Sequence, residues 1–115
     1  MDVKDVVKAL GALAHESRLT VFRMLVEAGP DGMTPGVIGE RTGIPPATLS
    51  FHLKELANAG LIASSPQGRF LIYAPDFERM NEVVAFLTEN CCSGHPEHCL
   101  PAIAIVAAPK KRVRS

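Results

Sequence analysis

The sequence predicts a mainly α-helical chain with one small β-hairpin, and three observations carry that prediction. Between Thr34 and Asn58 two short helical patterns meet at a glycine-centred turn. In the second of them Leu49, Leu53 and Leu56 recur at i, i+4 and i+7 and form one buried stripe. Directly after Gly60, two strand patterns (Leu61 to Ser65 and Arg69 to Ala74) flank the turn Ser65-Pro66-Gln67-Gly68. A helix-turn-helix with a hairpin beside it is a winged helix-turn-helix. The expected order is four helices, two strands and a last helix.

In chain order, the first helix follows Asp2 and places Val3, Val6, Val7 and Leu10 at i, i+3, i+4 and i+7, an apolar face expected to turn toward the core. The second starts near Glu16 and ends before Gly29-Pro30. It carries Leu19, Val21, Phe22, Leu25 and Val26 as expected core residues, while Arg18 and Arg23 read as solvated or paired with Glu. Thr34 as N-cap, Pro35 at the first helical position and Gly43 past the end bound the third. The fourth runs from about Pro46 to Asn58 and stops at Gly60; Pro45 occupies the place of an ordinary N-cap. The last begins after Pro75-Asp76 and reaches about Asn90, with Phe77, Met80, Val83, Val84 and Leu87 as a stripe that one small subunit cannot fully cover. Such a stripe is a dimer seam, so the chain is expected to be a homodimer.

With 115 residues there is room for one domain, whose modest core is naturally shared across a dimer. No apolar run approaches the roughly 18 residues a membrane span needs and no signal-peptide pattern opens the chain, so no membrane partner and a cytoplasmic location are expected. Net charge is formally zero, but four of the 12 basic residues, Lys110, Lys111, Arg112 and Arg114, lie in the last six positions. Residues 1–109 therefore carry 8 basic against 12 acidic groups. Any contact with nucleic acid must be local, made by Lys54, Arg69, Arg41 and helix N-termini.

Around the leucine stripe, Thr48, Ser50, His52 and Lys54 are expected on faces open to a DNA groove. Ser50 and His52 can donate or accept at a base edge or phosphate, and Thr48 offers a methyl or a hydroxyl. Arg69, at the hairpin tip, completes the expected DNA-binding set.

The run Leu13-Ala14-His15-Glu16-Ser17-Arg18-Leu19, the segment Ala47 to Ile62 with its Ser-x-His-Leu-Lys-x-Leu-x-x-Ala-Gly-Leu sequence, and the hairpin resemble the ArsR/SmtB family of winged-helix repressors. The resemblance covers about residues 4–90. It implies a homodimer that sits on a palindromic double-stranded operator and is released by a metal or metalloid, with Val3, Val6 and Val7 of the first helix joining Phe77, Met80, Val83, Val84 and Leu87 in the dimer contact. Two sensing sites frequent in the family have no counterpart here. The third helix reads Pro35-Gly36-Val37-Ile38-Gly39 without a Cys-x-Cys, and the last helix, Phe77 to Val84, lacks the Asp and His set.

The three cysteines, Cys91, Cys92 and Cys99, lie within nine residues, an odd and clustered set that suits a soft ligand rather than a disulfide framework. Adjacent helical residues point about 100° apart, so Cys91 and Cys92 cannot face one atom on a regular helix. Gly94 and Pro96 release the chain and allow Cys99 to return over the pair. Three thiolates suit As(III) or Sb(III) as inducer. A subgroup of arsenic-responsive family members has a similar cysteine arrangement. Zinc or cadmium with His95 or His98 added, a two-cysteine site for a methylated trivalent arsenical, and a thiol redox switch are the alternatives.

The chain thus divides into a winged helix over 1–90, a cysteine-rich segment over 91–99 and a basic tail over 100–115. No Cys-x-x-Cys, phosphate-cradling loop or paired nucleophile and base points to an enzyme, and no organic cofactor is expected. A protein interaction module without DNA is the rival from another class.

Overall fold

The structure is a computed structural model that describes residues 1–95. Its elements are α1 (Val3–Leu13), α2 (Glu16–Ala28), a single 3-10 turn (Gly29–Asp31), α3 (Pro35–Thr42), α4 (Pro46–Asn58), β1 (Ile62–Gln67), β2 (Phe70–Pro75), α5 (Phe77–Thr88) and a short α6 (Cys91–Gly94). This is the winged helix-turn-helix order, with α3 and α4 as its helical pair and an antiparallel β1–β2 hairpin as its wing.

Local chemistry sets most boundaries. Asp2 accepts from the Asp5 N–H to open α1, Thr34 from the Val37 N–H to open α3, and Asp76 from the Arg79 N–H to open α5. Gly43, at φ 76°, turns the chain out of α3 in the left-handed conformation that a side chain disfavours. At the start of α2 the cap is His15, whose Nδ1 accepts from the Ser17 N–H at 3.1 Å.

One core joins these elements. Leu25, Ile38, Leu56, Leu61 and Val21 are its largest fully buried side chains, and the expected stripe of Leu49, Leu53 and Leu56 lies within it. Burying each such leucine contributes about 1.5–3 kcal/mol. The α1 expectation needs correction. Its buried row is Val6, Ala9 and Ala12, whereas Val3, Val7 and Leu10 face outward. Small alanines three residues apart extend the row begun by Val6 and let α1 lie close to its neighbours. Leu19 is likewise exposed, at 44%, beside the buried Val21, Phe22 and Leu25.

The wing also departs from expectation. Ser65, Pro66 and Gln67 belong to β1, and the turn is the two residues Gly68-Arg69 between Gln67 and Phe70. In a two-stranded sheet each strand has a free edge, so Pro66 can stand in β1 opposite Leu71 without losing a ladder bond it would need. The wing is anchored twice. Met33 and Tyr73 exchange backbone hydrogen bonds of 2.9 and 2.8 Å, and the Asp76 N–H donates to the Leu61 carbonyl at 2.8 Å.

After Thr88 the last long helix ends, earlier than the expected Asn90. Glu89 is extended (ψ 139°) and Asn90 lies at φ 57°, so Cys91 opens a separate turn. The chain is released before the cysteine pair as well as at Gly94, which ends α6 at φ 89°.

Candidate nucleic-acid interface

Helix α4 is seated by its leucines, and its other faces are available to a partner. Thr48, Ser50 and Lys54 are exposed, as expected, and so is Phe51, at 54%. Pro45 provides no side-chain cap, which leaves the Ala47 and Thr48 N–H groups at the α4 N-terminus uncapped and suited to a phosphate oxygen. Arg69 is exposed in the wing turn next to Gly68, at φ 64°. The exposed groups of α4 and the wing turn thus supply four kinds of contact: a helix N-terminus, hydroxyls, an ammonium and a guanidinium.

His52 does not belong to this set. It is 5% exposed and points inward from α4, three residues after Leu49 and four before Leu56. Its Nδ1 lies 3.4 Å from the Arg18 Nη1, and its ring centroid is 4.7 Å from that of His15. The Arg18 Nε donates to the Ala12 carbonyl at 2.7 Å. Arg18, read from sequence as solvated or paired with Glu, is instead tied to the α1 end and the reading helix. Burial, then His15 and Arg18 beside it, hold the His52 pKa below its ordinary value of 6.5. The signal was available in the spacing, because position 52 shares the leucine face.

The expected seam residues divide. Val3, Val7 and Leu87 are exposed, and Phe77, Met80 and Val84 are half-buried. Val6 and Val83, at 3% and 6% exposure, are buried within the subunit. Leu10, Leu19, Met80, Val83, Val84 and Leu87 are among the residues that line an apolar groove of about 390 Å³ on the α5 side. Leu10 and Leu19 were not expected beside it because their spacing reads equally well as core.

Cys91 and Cys92 lie in α6, followed by the exposed His95. Cys99 and His98, with the basic tail, lie outside the described residues. Among the described residues no group of three or more His, Cys, Asp or Glu side chains is arranged to hold a metal ion, and no helix is long and apolar enough to cross a membrane.

Comparison with known proteins gives this arrangement a family. The family described as "Helix-turn-helix domain" matches residues 13–65. The chain is 30% identical over 83 residues, 72% of its length and 82% of the relative's, to the HTH-type transcriptional regulator YgaV of Escherichia coli strain K12. An ArsR-like transcriptional regulator from Rhodococcus sp. RHA1 superposes with a TM-score of 0.68 at 20% identity, covering 93% of this chain and 96% of that one. The homodimeric winged helix-turn-helix DNA-binding domain of Mb0332 from Mycobacterium bovis, a possible ArsR-family regulator, gives 0.61 at 23% identity over 81% of this chain and 86% of its own. The chain belongs to the helix-turn-helix transcriptional regulators, and its winged-helix fold is the one these ArsR-like structures share.

Proposed function

We propose that this regulator is a homodimeric repressor that grips a two-fold symmetric operator and lets go when As(III) or Sb(III) binds Cys91, Cys92 and Cys99. The observation that carries the DNA half is the exposure of Thr48, Ser50, Lys54, the uncapped α4 N-terminus and Arg69 on the second helix and the wing of a winged helix-turn-helix. Few phosphates are neutralised by one such face, so two copies are needed for tight binding. The exposed Val3, Val7, Leu10, Leu19 and Leu87 support a second copy as the occupant of the seam, and the homodimeric Mb0332 domain has the same fold.

The inducer half rests on sulfur chemistry. Thiolates are soft donors, and a trivalent arsenic atom takes three of them as a pyramid completed by its lone pair. The break at Glu89-Asn90 supports the site, since it separates the vicinal pair from the regular α5 whose outer face borders the seam groove. Drawing three sulfurs around one atom would reshape that end of the seam and move the reading helices away from groove spacing. To switch fully, the ligand must favour the released state by on the order of 5.5 kcal/mol.

The test is fluorescence anisotropy of the labelled DNA upstream of the protein's own gene, bound by reduced protein and titrated with arsenite, antimonite, zinc and cadmium. Release by arsenite or antimonite, blunted by serine at Cys91, Cys92 or Cys99, is the expected result. Release by zinc or cadmium instead would bring His95 or His98 into the site. Full arsenite response in Cys99→Ser would favour a two-thiol site for a methylated arsenical. Failure to bind DNA would leave a protein interaction module as the better reading.

A further inference from the structure

We propose that His15, Arg18 and His52 form a proton-sensitive clamp that positions the reading helix α4, so that operator affinity is lost in mild acid. The three residues join three elements. Arg18 leaves α2, donates from Nε to the carbonyl of Ala12 in the last turn of α1, and reaches the buried His52 of α4 with Nη1. His15 caps α2 and lies ring to ring with His52. Buried inside the subunit, His52 can orient Thr48, Ser50 and Lys54 without itself touching DNA.

Both imidazoles serve as acceptors. Arg18 has only N–H groups to offer, so its contact requires an unprotonated Nδ1 on His52; the Ser17 N–H requires the same of His15. A proton on either ring removes an acceptor and places a cation among groups that are already basic. The charged neighbours do not relieve it. From α2 the groups facing His52 are His15 and Arg18. From α1 Lys8, and from α4 itself Glu55, line the polar groove into which Arg18 extends. Among the described residues no carboxylate forms an ion pair with Arg18, the one such pair being Arg23–Glu27 at 3.3 Å. The lowered His52 pKa agrees in direction with an acceptor held neutral.

The sign of the effect separates this clamp from ordinary electrostatics. Protonating histidines makes a protein more positive and strengthens its attraction to phosphate. The clamp predicts weaker binding instead. It rests on the operator reading given above, and the two fail differently.

The experiment measures operator affinity by anisotropy at constant ionic strength from pH about 7.5 to about 5.5, with the fold monitored by circular dichroism at each pH. For the wild-type chain the Kd should rise about tenfold or more over that range while the helix signal is kept. In His52→Asn the amide oxygen, carried on Cγ as Nδ1 is, accepts from Arg18 at any pH, so binding at the upper pH should stay within about threefold of wild type and the acid loss should shrink. His52→Ala and Arg18→Met should bind weakly at both ends. Imidazole nitrogen NMR of the wild-type protein gives a readout independent of variants. It should show His52 protonated at Nε2 near neutrality, with a titration midpoint matching that of the affinity loss. Operator affinity that is flat or rises in acid, an unchanged acid loss in His52→Asn, or a His52 midpoint apart from the affinity midpoint would overturn the clamp alone. Absence of operator binding at every pH would overturn the operator reading and the clamp with it.

Discussion

Substituting Gly32 by alanine should cost more than the same change at Gly29, and the difference measures how closely the chain passes under the wing. Both glycines occupy the same unusual backbone region, Gly29 at φ 81°, ψ −163° and Gly32 at φ 69°, ψ −169°. A residue with a Cβ pays about 1–3 kcal/mol to adopt that conformation. At Gly29 the new Cβ meets nothing within 4 Å. At Gly32 it would run into the carbonyl oxygen of Tyr73, and it would stand 2.6 Å from the Ile72 Cγ2 and 3.0 Å from the Tyr73 carbonyl carbon. Tyr73 is held by its two hydrogen bonds to Met33, the next residue, so the obstruction is backbone that cannot step aside. Overpacking of this kind adds about 1–3 kcal/mol. Gly29→Ala should therefore lose about 1–3 kcal/mol, and Gly32→Ala about 2–6 kcal/mol in all. Urea unfolding followed by circular dichroism, at one fixed protein concentration because a dimer's stability depends on it, gives both values from midpoints at a common slope. Equal losses for the two variants would refute the close approach and the anchoring of the wing through Met33 and Tyr73.

Three further outcomes are expected. Thr34→Ala removes the acceptor for the Val37 N–H at the start of α3 and should lower stability by about 1 kcal/mol in the same unfolding assay, with Thr34→Ser recovering most of it. Arg69→Ala removes one phosphate partner per subunit, so operator affinity should fall and the dependence of log K on log salt should flatten by roughly one unit for each subunit; an unchanged salt slope would remove Arg69 from the interface. Placing Glu at Val7 and Leu87, both exposed, should convert a dimer to a monomer in sedimentation without loss of helix signal; a dimer that persists would place the seam elsewhere.

What could be read from sequence was what neighbours in the chain decide. Thr34-Pro35, Gly43 and Asp76 mark helix ends through bonds spanning three or four residues, and the structure has them where the pattern puts them. Leu49, Leu53 and Leu56 likewise report their own burial through helical spacing. Features that depend on distant partners were not legible. The bridge between Met33 and Tyr73 couples residues 40 positions apart, and neither carries a local sign of it. His52 reads as polar and therefore outward, although its position between Leu49 and Leu56 puts it on the buried face; only Arg18, 34 residues earlier, makes that burial tolerable. The apolar row of α1 misleads in the opposite direction, since Val3, Val7 and Leu10 report a surface that a single subunit leaves open while alanines do the inward packing. In the wing, Pro66 looks like a turn residue, yet its strand has an unpaired edge and accepts it.

Hydroxyl-radical footprinting of the DNA upstream of the gene, with reduced protein and then with added arsenite, tests the central claim most directly. The account predicts two protected patches related by a two-fold axis, their centres about one helical turn or a multiple of it apart, which disappear together as arsenite approaches one equivalent per subunit. Absence of protection, a single asymmetric patch, or a symmetric footprint that survives saturating arsenite would contradict it.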